Sequence, residues 1–425
     1  MLPLYSWLLR LLLPYVVLRL WIRGLRNRAY WHRIPERFGF VPRIAAARVI
    51  WIHAVSVGEA RAAAPLVKKL WDRCPDHQIV ITTMTPTGSA TVTSLFGDRV
   101  EHCYVPYDLP SAVRRFLDRV HPEMLIVMET ELWPNLFHRC RARGVPVIVT
   151  NLRMSESSMQ KYLRIAPTLA RATLAQVSLF AAQSPADAER LIRLGASSAR
   201  VNVTGSIKFE LALPASLAEA AEVLRREWGA DRPVWVAAST HDGEEERMLT
   251  IHADLRRQAA FRDALLVLVP RHPERFAAVT RLCRKHGFNV AQRSQHRGAL
   301  DAKLDVLVGD TMGELMLFYG ACDVAFVGGS LVPTGGHNLL EASALGKPVV
   351  FGPHMFNFTE IAQLTLERDA GRQVQDGAQL LQALVDYLGN PERRDRAGEA
   401  GRKLVEENRG ALERTMRLLD PVLPR

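Results

Sequence analysis

From residue 43 onward, short β-branched runs alternate with helix-like stretches. The runs VIWIHAV (49–55), IVITTM (79–84), MLIVM (124–128), VPVIVT (145–150), LFAAQ (179–183) and VNVTG (201–205) are continuous apolar segments of strand length. Between them lie segments such as Ala60–Arg73 and Ser111–Val120, which carry helical patterning. Strands buried on both faces lack polar alternation, so this rhythm predicts βαβ units and a parallel sheet covered on both sides. The rhythm breaks at ELALPASLAEAAEVLRREWGADRP (210–233) and resumes with VWVAAS (234–239), LLVLVP (265–270), DVLVG (305–309), DVAFVGG (323–329) and KPVVFGP (347–353). Two doubly wound α/β domains joined near residues 206–230 are the expected architecture, with the helices at about 378–420 as candidates to pack back across the junction. Ligands of open parallel sheets bind beyond the carboxyl ends of the strands, so an inter-domain cleft is the expected site.

The first residues follow a different pattern. MLPLYSWLLRLLLPYVVLRLWIRGLRNRAYWHR is apolar for about twenty residues, the length that spans a bilayer as a helix, but Arg10, Pro14 and Arg19 interrupt it. Arginines inside the run make it a poor span, and a helix lying in the interface is the competing arrangement. A helix packed on the protein's own core is the plain alternative. No small-residue cleavage site follows, and Arg23, Arg26, Arg28 and Arg33 behind the run favour a cytoplasmic body.

Composition narrows the class. At 425 residues with 48% hydrophobic and 23% charged positions, the chain is globular and long enough for two cores. Cys74, Cys103, Cys140, Cys283 and Cys322 are odd in number and scattered without a C-x-x-C pair, which argues against a disulfide framework or a zinc site. The net charge of +11 is uneven: residues 1–60 hold nine Arg against Glu36 and Glu59 alone.

Candidate chemistry lies after the strands. In HAVSVGEA, Gly58 permits a tight turn, Ser56 is placed to cap a helix, and Glu59 falls in its first turn. A carboxylate there suits the helix dipole as a structural residue, or a cleft as a general base. In METELWPN (128–135), Glu129 and Glu131 are two apart, so on an extended strand end they point the same way; like charges that close need a cationic or protic partner. Ordinary acids at a helix start, with Trp133 and Pro134 packing, are the alternative. Lys208 in TGSIKFE is either a surface lysine or a contact for phosphate or carboxylate.

The second half is richer. Arg271 and His272 in VPRHPERF follow a strand directly, and both donate to anions. The turn GDTMGEL, with Gly313, opens a helix whose N–H groups suit an anion. In FVGGSLVPTGGHNLLEASALGKPVVFGPH, Gly328, Gly329, Gly335 and Gly336 let backbone approach a ligand, the helix opening at His337–Asn338 is an anion site, and Glu341 is placed for ribose hydroxyls. A glycine-rich connection without a ligand is the alternative. There is no G-x-x-x-x-G-K-[ST] loop, which disfavours a P-loop ATPase, and no D-x-D triplet, which points to a metal-independent reaction.

Together, RIPERFGF, IHAVSVGEA, METELWPN, GSIKFE, PRHPERF, VGDTMGEL and GGSLVPTGGHNLLE resemble the 3-deoxy-D-manno-octulosonic acid (Kdo) transferases of Gram-negative lipopolysaccharide synthesis, in order from about residue 32 to about 360. The resemblance implies a GT-B glycosyltransferase of two Rossmann-like domains, with an N-terminal membrane-anchoring helix. It implies inverting transfer of Kdo from CMP-Kdo to lipid IVA, without metal or cofactor and with no nucleic-acid partner. Glu59 then matches the catalytic base, and Glu129 and Lys208 match positions that stabilise the transition state. Arg271, His272, Met312, Gly313, Glu314, Asn338, Leu339, Leu340 and Glu341 match CMP-binding positions. The expected domains are an anchor (1–40), an acceptor domain (41–212) and a CMP-sugar domain (213–425), on the cytoplasmic face of the inner membrane. A basic N-terminus suits an anionic lipid surface. A UDP-sugar-dependent lipid glycosyltransferase and a catalytically silent nucleotide-sugar-binding scaffold at the membrane are the rival readings.

Overall fold

The computed structural model describes residues 1–46, 48–211, 213–296 and 298–424. The chain forms two compact units, Met1–Glu210 together with the segment from Arg409 on, and Leu211–Asn408. The expected junction residue, Ala212, lies outside the described residues.

The first unit holds β1 (Val49–His53), β2 (Gln78–Thr83), β3 (Glu101–Tyr104), β4 (Met124–Met128), β5 (Val147–Leu152), β6 (Leu179–Ala182) and β7 (Val201–Val203). They form one parallel sheet in the order β3-β2-β1-β4-β5-β6-β7. The chain leaves β1 in one direction and returns to its other side at β4, so the topological switch point lies between them. Along β1 the side chains alternate between two cores: Val49 and Trp51 join Phe116, Leu125 and Val127 on one face, while Ile50 and Ile52 join Leu66, Leu70 and Ile126 on the other. Both faces are apolar because helices cover both, which is why the strand reads as an unbroken hydrophobic run.

The second unit holds β8 (Val234–Thr240), β9 (Leu265–Pro270), β10 (Val290–Gln292), β11 (Val306–Val308), β12 (Val324–Val327), β13 (Val349–Phe351) and β14 (Gly371–Gln373). Their order is β10-β11-β9-β8-β12-β13-β14, again parallel, with the switch point between β8 and β12.

Three strands have no counterpart in the apolar runs: β3, β10 and β14. Each is an edge strand, with sequences EHCY, VAQ and GRQ. An edge strand is paired on one side only and need not be apolar on both faces.

The C-terminal end divides between the two units. The helices Gly377–Gly389 and Pro391–Asn408 belong to the second unit, but the helix Ala411–Leu419 belongs to the first, so the second domain does not run on to residue 425. Leu412, Met416 and Leu419 are buried in the same core as Ile50 and Leu66. Leu419→Ala is expected to destabilise the first unit by about 3 kcal/mol, read as a lower urea midpoint for that unit, because a fully buried leucine leaves a cavity.

The N-terminal segment forms one helix, Leu2–Arg26, with Pro14 inside it. Among the described residues no helix is long and apolar enough to cross a membrane. The helix is tied down near its start: the Tyr5 hydroxyl donates to Asp108 at 3.0 Å, and the Ser6 hydroxyl donates to Asn135 Oδ1 at 2.9 Å.

Candidate active site

Ser56 caps the helix Val57–Arg73, its hydroxyl oxygen accepting from the Glu59 N–H at 3.2 Å. Glu59 answers by accepting from the Ser56 hydroxyl at 2.9 Å and from the Val55 N–H at 2.8 Å. This reciprocal cap holds the carboxyl at the carboxyl end of β1, beside the switch point. Glu59 is buried, and burial followed by the charges of Glu129 and Glu131 pushes its carboxyl up to about 8, against the two hydrogen bonds.

The two acids of METELWPN do not share an extended strand end. β4 stops at Met128, and Glu129 turns into the left-handed region at φ 56°. That conformation is uncommon for a side chain longer than Asn and marks a position held by its surroundings. The turn separates the pair. Glu129 Oε1 meets Lys208 Nζ at 2.7 Å, and Glu131 accepts from the Trp133 indole N–H at 2.8 Å. Burial raises the Glu131 carboxyl above the usual range.

Lys208 sits in a single 3-10 turn, Ile207–Phe209, held from two sides. Asn151, itself at φ 52°, accepts from the Ile207 N–H at 3.0 Å and the Ser206 hydroxyl at 3.3 Å. From the C-terminal helix, the Leu412 N–H donates to Glu210 at 3.0 Å and Arg414 donates to the Thr204 carbonyl at 2.7 Å. Glu59, Glu129 and Lys208, 149 positions apart at the extremes, thus follow β1, β4 and β7 of one sheet.

In the second unit, Arg271 and His272 follow β9 as expected, and the His272 ring stands edge-on to His241, centroids 5.4 Å apart. Met312 is exposed, and Gly313 has φ 85°. The Glu314 carboxylate pairs with Arg293 at 3.0 Å and accepts from the Thr311 hydroxyl. Asn338 accepts from the Leu340 N–H at 3.2 Å and donates to Glu341 at 3.4 Å. Leu339 and Leu340 are fully buried, backbone included, and so sit behind the surface that Asn338 and Glu341 present. The helix that follows, Leu340–Ala344, is little more than one turn, shorter than the anion-binding helix expected there.

The glycines also serve a different end. A side chain at Gly335 would strike Asn357 and one at Gly336 would strike Met355 Sδ at 2.2 Å, and both have positive φ. They let the loop close on its own neighbours. The N–H groups of Gly329, Ser330 and Leu331 are likewise taken from within: the buried carboxylate of Glu244 accepts all three at 2.7 to 3.1 Å, and the His241 N–H at 3.0 Å.

Sequence reading passed over His241 and Glu244. Both lie in STHDGEEE, directly after β8, the same strand-end position that marked the other motifs. His241 Nε2 lies 2.9 Å from His337 Nε2, which brings the ends of β8 and β12 together at the switch point. Asn151 was also missed; its position at the end of β5 was the available signal.

Comparison with known proteins adds the following. A family model described as 3-deoxy-D-manno-octulosonic-acid transferase (kdotransferase) matches residues 32–211. A 3-deoxy-D-manno-octulosonic acid transferase of Haemophilus influenzae is 43% identical, covering 99% of this chain and 98% of that protein. One from Bordetella pertussis is 38% identical over 98% of each. Among solved structures, MurG of Acinetobacter baumannii superposes with a TM-score of 0.55 at 14% identity, covering 88% of this chain and 99% of that one, a likeness of GT-B-like fold alone.

Proposed function

Because this chain belongs to the 3-deoxy-D-manno-octulosonic acid (Kdo) transferase family, and so to the glycosyltransferases, we propose that it moves Kdo from CMP-Kdo to lipid IVA with inversion, Glu59 acting as the general base. The observation that carries this reading is the Glu59 carboxyl at a strand's carboxyl end, pushed up to about 8 by burial and two neighbouring acids. A base works best when its proton affinity lies near the working pH.

In this reading Glu59 takes the proton from the acceptor sugar hydroxyl as that oxygen attacks the anomeric carbon of Kdo. Lys208, held on Glu129, supplies positive charge in the same unit and steadies the developing transition state. The second unit takes the nucleotide: Arg271, His272, the backbone of Met312–Gly313–Glu314, Asn338 and Glu341 are the contacts. A CMP leaving group carries less charge than a diphosphate, and basic side chains suffice to hold it without a metal.

The acceptor reading draws on the helix Leu2–Arg26. Leu4, Trp7, Leu11, Tyr15, Leu18 and Leu25 recur at three, four and seven residues and are all exposed. Such a stripe, with Arg10, Arg19 and Arg23 on the same helix, suits docking in the interface of an anionic bilayer on its cytoplasmic side, the inner membrane in a Gram-negative cell.

The direct test is incubation with CMP-Kdo generated in situ and lipid IVA, followed by mass spectrometry of the lipid. A gain of one or more Kdo units is expected; no gain together with no CMP release overturns the reading. Thermal stabilisation by CMP but not UDP is the expected companion result, and the reverse would favour a UDP-sugar donor. Lys208→Met is expected to lower turnover by about 10²-fold, measured with saturating donor, while CMP still raises the melting temperature.

A further inference from the structure

We propose that His241 and His337 form a one-proton pair at the nucleotide phosphate, which binds the donor's phosphate and supplies a proton to it as the bond to the sugar breaks. This rests on the reading of the second unit as the CMP site.

The geometry is specific. The two Nε2 atoms are 2.9 Å apart, the ring planes differ by 9°, and the centroids are 5.2 Å apart. With the nitrogens that close and the centroids that far, the rings meet head to head in nearly one plane and do not stack face to face. In-line approach at this distance is a hydrogen bond, so one Nε2 carries the proton and the other presents its lone pair. A second proton between them would set two N–H groups against each other. The pair therefore holds one extra proton, on an Nδ1, and titrates as a unit.

Its surroundings fit an anion. His241 follows β8 and His337 follows β12, the two strands that flank the switch point where ligands of such sheets bind. His272 stands edge-on to His241, and Arg271 lies beside it in sequence. Arg275 is engaged by Asp242 at 2.9 Å and Glu245 at 3.1 Å. The Glu244 carboxylate faces the His241 backbone but is saturated by four N–H groups. Burial holds His241 below the ordinary imidazole range; Glu244 opposes this, and His272, Arg271 and Arg275 add to it. Burial thus disfavours a charge on His241 in the free protein, and an arriving phosphate reverses the balance.

The chemistry balances. The donor's phosphate is a diester with one negative charge. When the bond from the anomeric carbon to oxygen breaks, the electron pair stays on that oxygen and the phosphate becomes a monoester with a second charge, whose proton affinity centres near about 6. The proton of the pair moves to, or is shared with, that oxygen, while the acceptor's hydroxyl proton goes to Glu59 as the new bond forms. A histidine pair matches a monoester phosphate in proton affinity, which suits it to this transfer.

The test is calorimetric titration of the full-length protein with CMP at pH 7.5 in two buffers of different ionisation enthalpy. Wild type is expected to take up close to one proton per CMP bound, and His241→Gln to lose that uptake while binding CMP more weakly. His337→Gln is expected to behave as His241→Gln does and serves if the first variant does not fold. Wild type that binds CMP without proton uptake overturns the pair and leaves the donor reading standing. Uptake unchanged in a folded His241→Gln or His337→Gln protein overturns it equally. No CMP binding by wild type would overturn the donor reading itself.

Discussion

Glu59→Gln is expected to lower Kdo transfer by about 10³ to 10⁴-fold, the upper part of the general-base range, with CMP binding unchanged. The amide keeps the shape and still accepts one of the two hydrogen bonds made by Val55 and Ser56, but it cannot take a proton. Initial rates with lipid IVA and a parallel CMP titration separate the two outcomes, and wild-type turnover would remove Glu59 from the chemistry. The pH dependence carries a second signature. As a base, Glu59 acts ionised, so kcat/KM of the wild type rises with pH and levels above about 8. Stability moves the other way. The folded state keeps the Glu59 proton up to about 8 while the unfolded chain releases it near 4.5, so wild type loses stability across that window as pH rises. Glu59→Gln has no such loss. Its melting temperature relative to wild type should climb from pH 5 to pH 8 and then level off.

The second large effect is structural. Glu244→Ala removes a fully buried carboxylate that accepts from four backbone N–H groups. Each buried donor left without a partner costs about 1 to 3 kcal/mol, so a loss on the order of 5 kcal/mol is expected after partial relaxation. Unfolding followed by tryptophan fluorescence should show the second unit melting first, since Trp228 and Trp235 are buried in it. Glu244→Gln should fall between, because an amide oxygen replaces only part of the acceptor capacity and its NH2 faces donors. An Ala variant as stable as wild type would mean that water fills the nest without penalty.

Glu59 and Lys208 were visible as residues placed after apolar runs, because a strand buried on both faces announces its own end. Their coupling to Glu129 was only half visible. Two acids two positions apart implied a cationic or protic partner, and Lys208 is that partner for Glu129. The assumption of an extended strand end failed because Glu129 adopts a left-handed conformation that no pattern of polarity encodes. The glycine-rich segment was only half legible for a related reason. Glycines signal close approach, but whether to a ligand or to Asn357 and Met355 depends on what the fold brings alongside.

The sequence by itself determined that two parallel sheets form, roughly where their inner strands run, and which loops lie at their carboxyl ends. These follow from hydrophobic periodicity, which is local, and from the need of covered strands to be apolar throughout. Only the tertiary structure decided that the last helix joins the first unit, where Leu412 and Arg414 fasten the Lys208 turn. It alone set His241 against His337, 96 residues away, and filled the Gly329–Leu331 backbone with Glu244. Such pairings depend on which strand ends are neighbours across a switch point, and strand order is a property of the folded sheet that no single stretch of sequence carries.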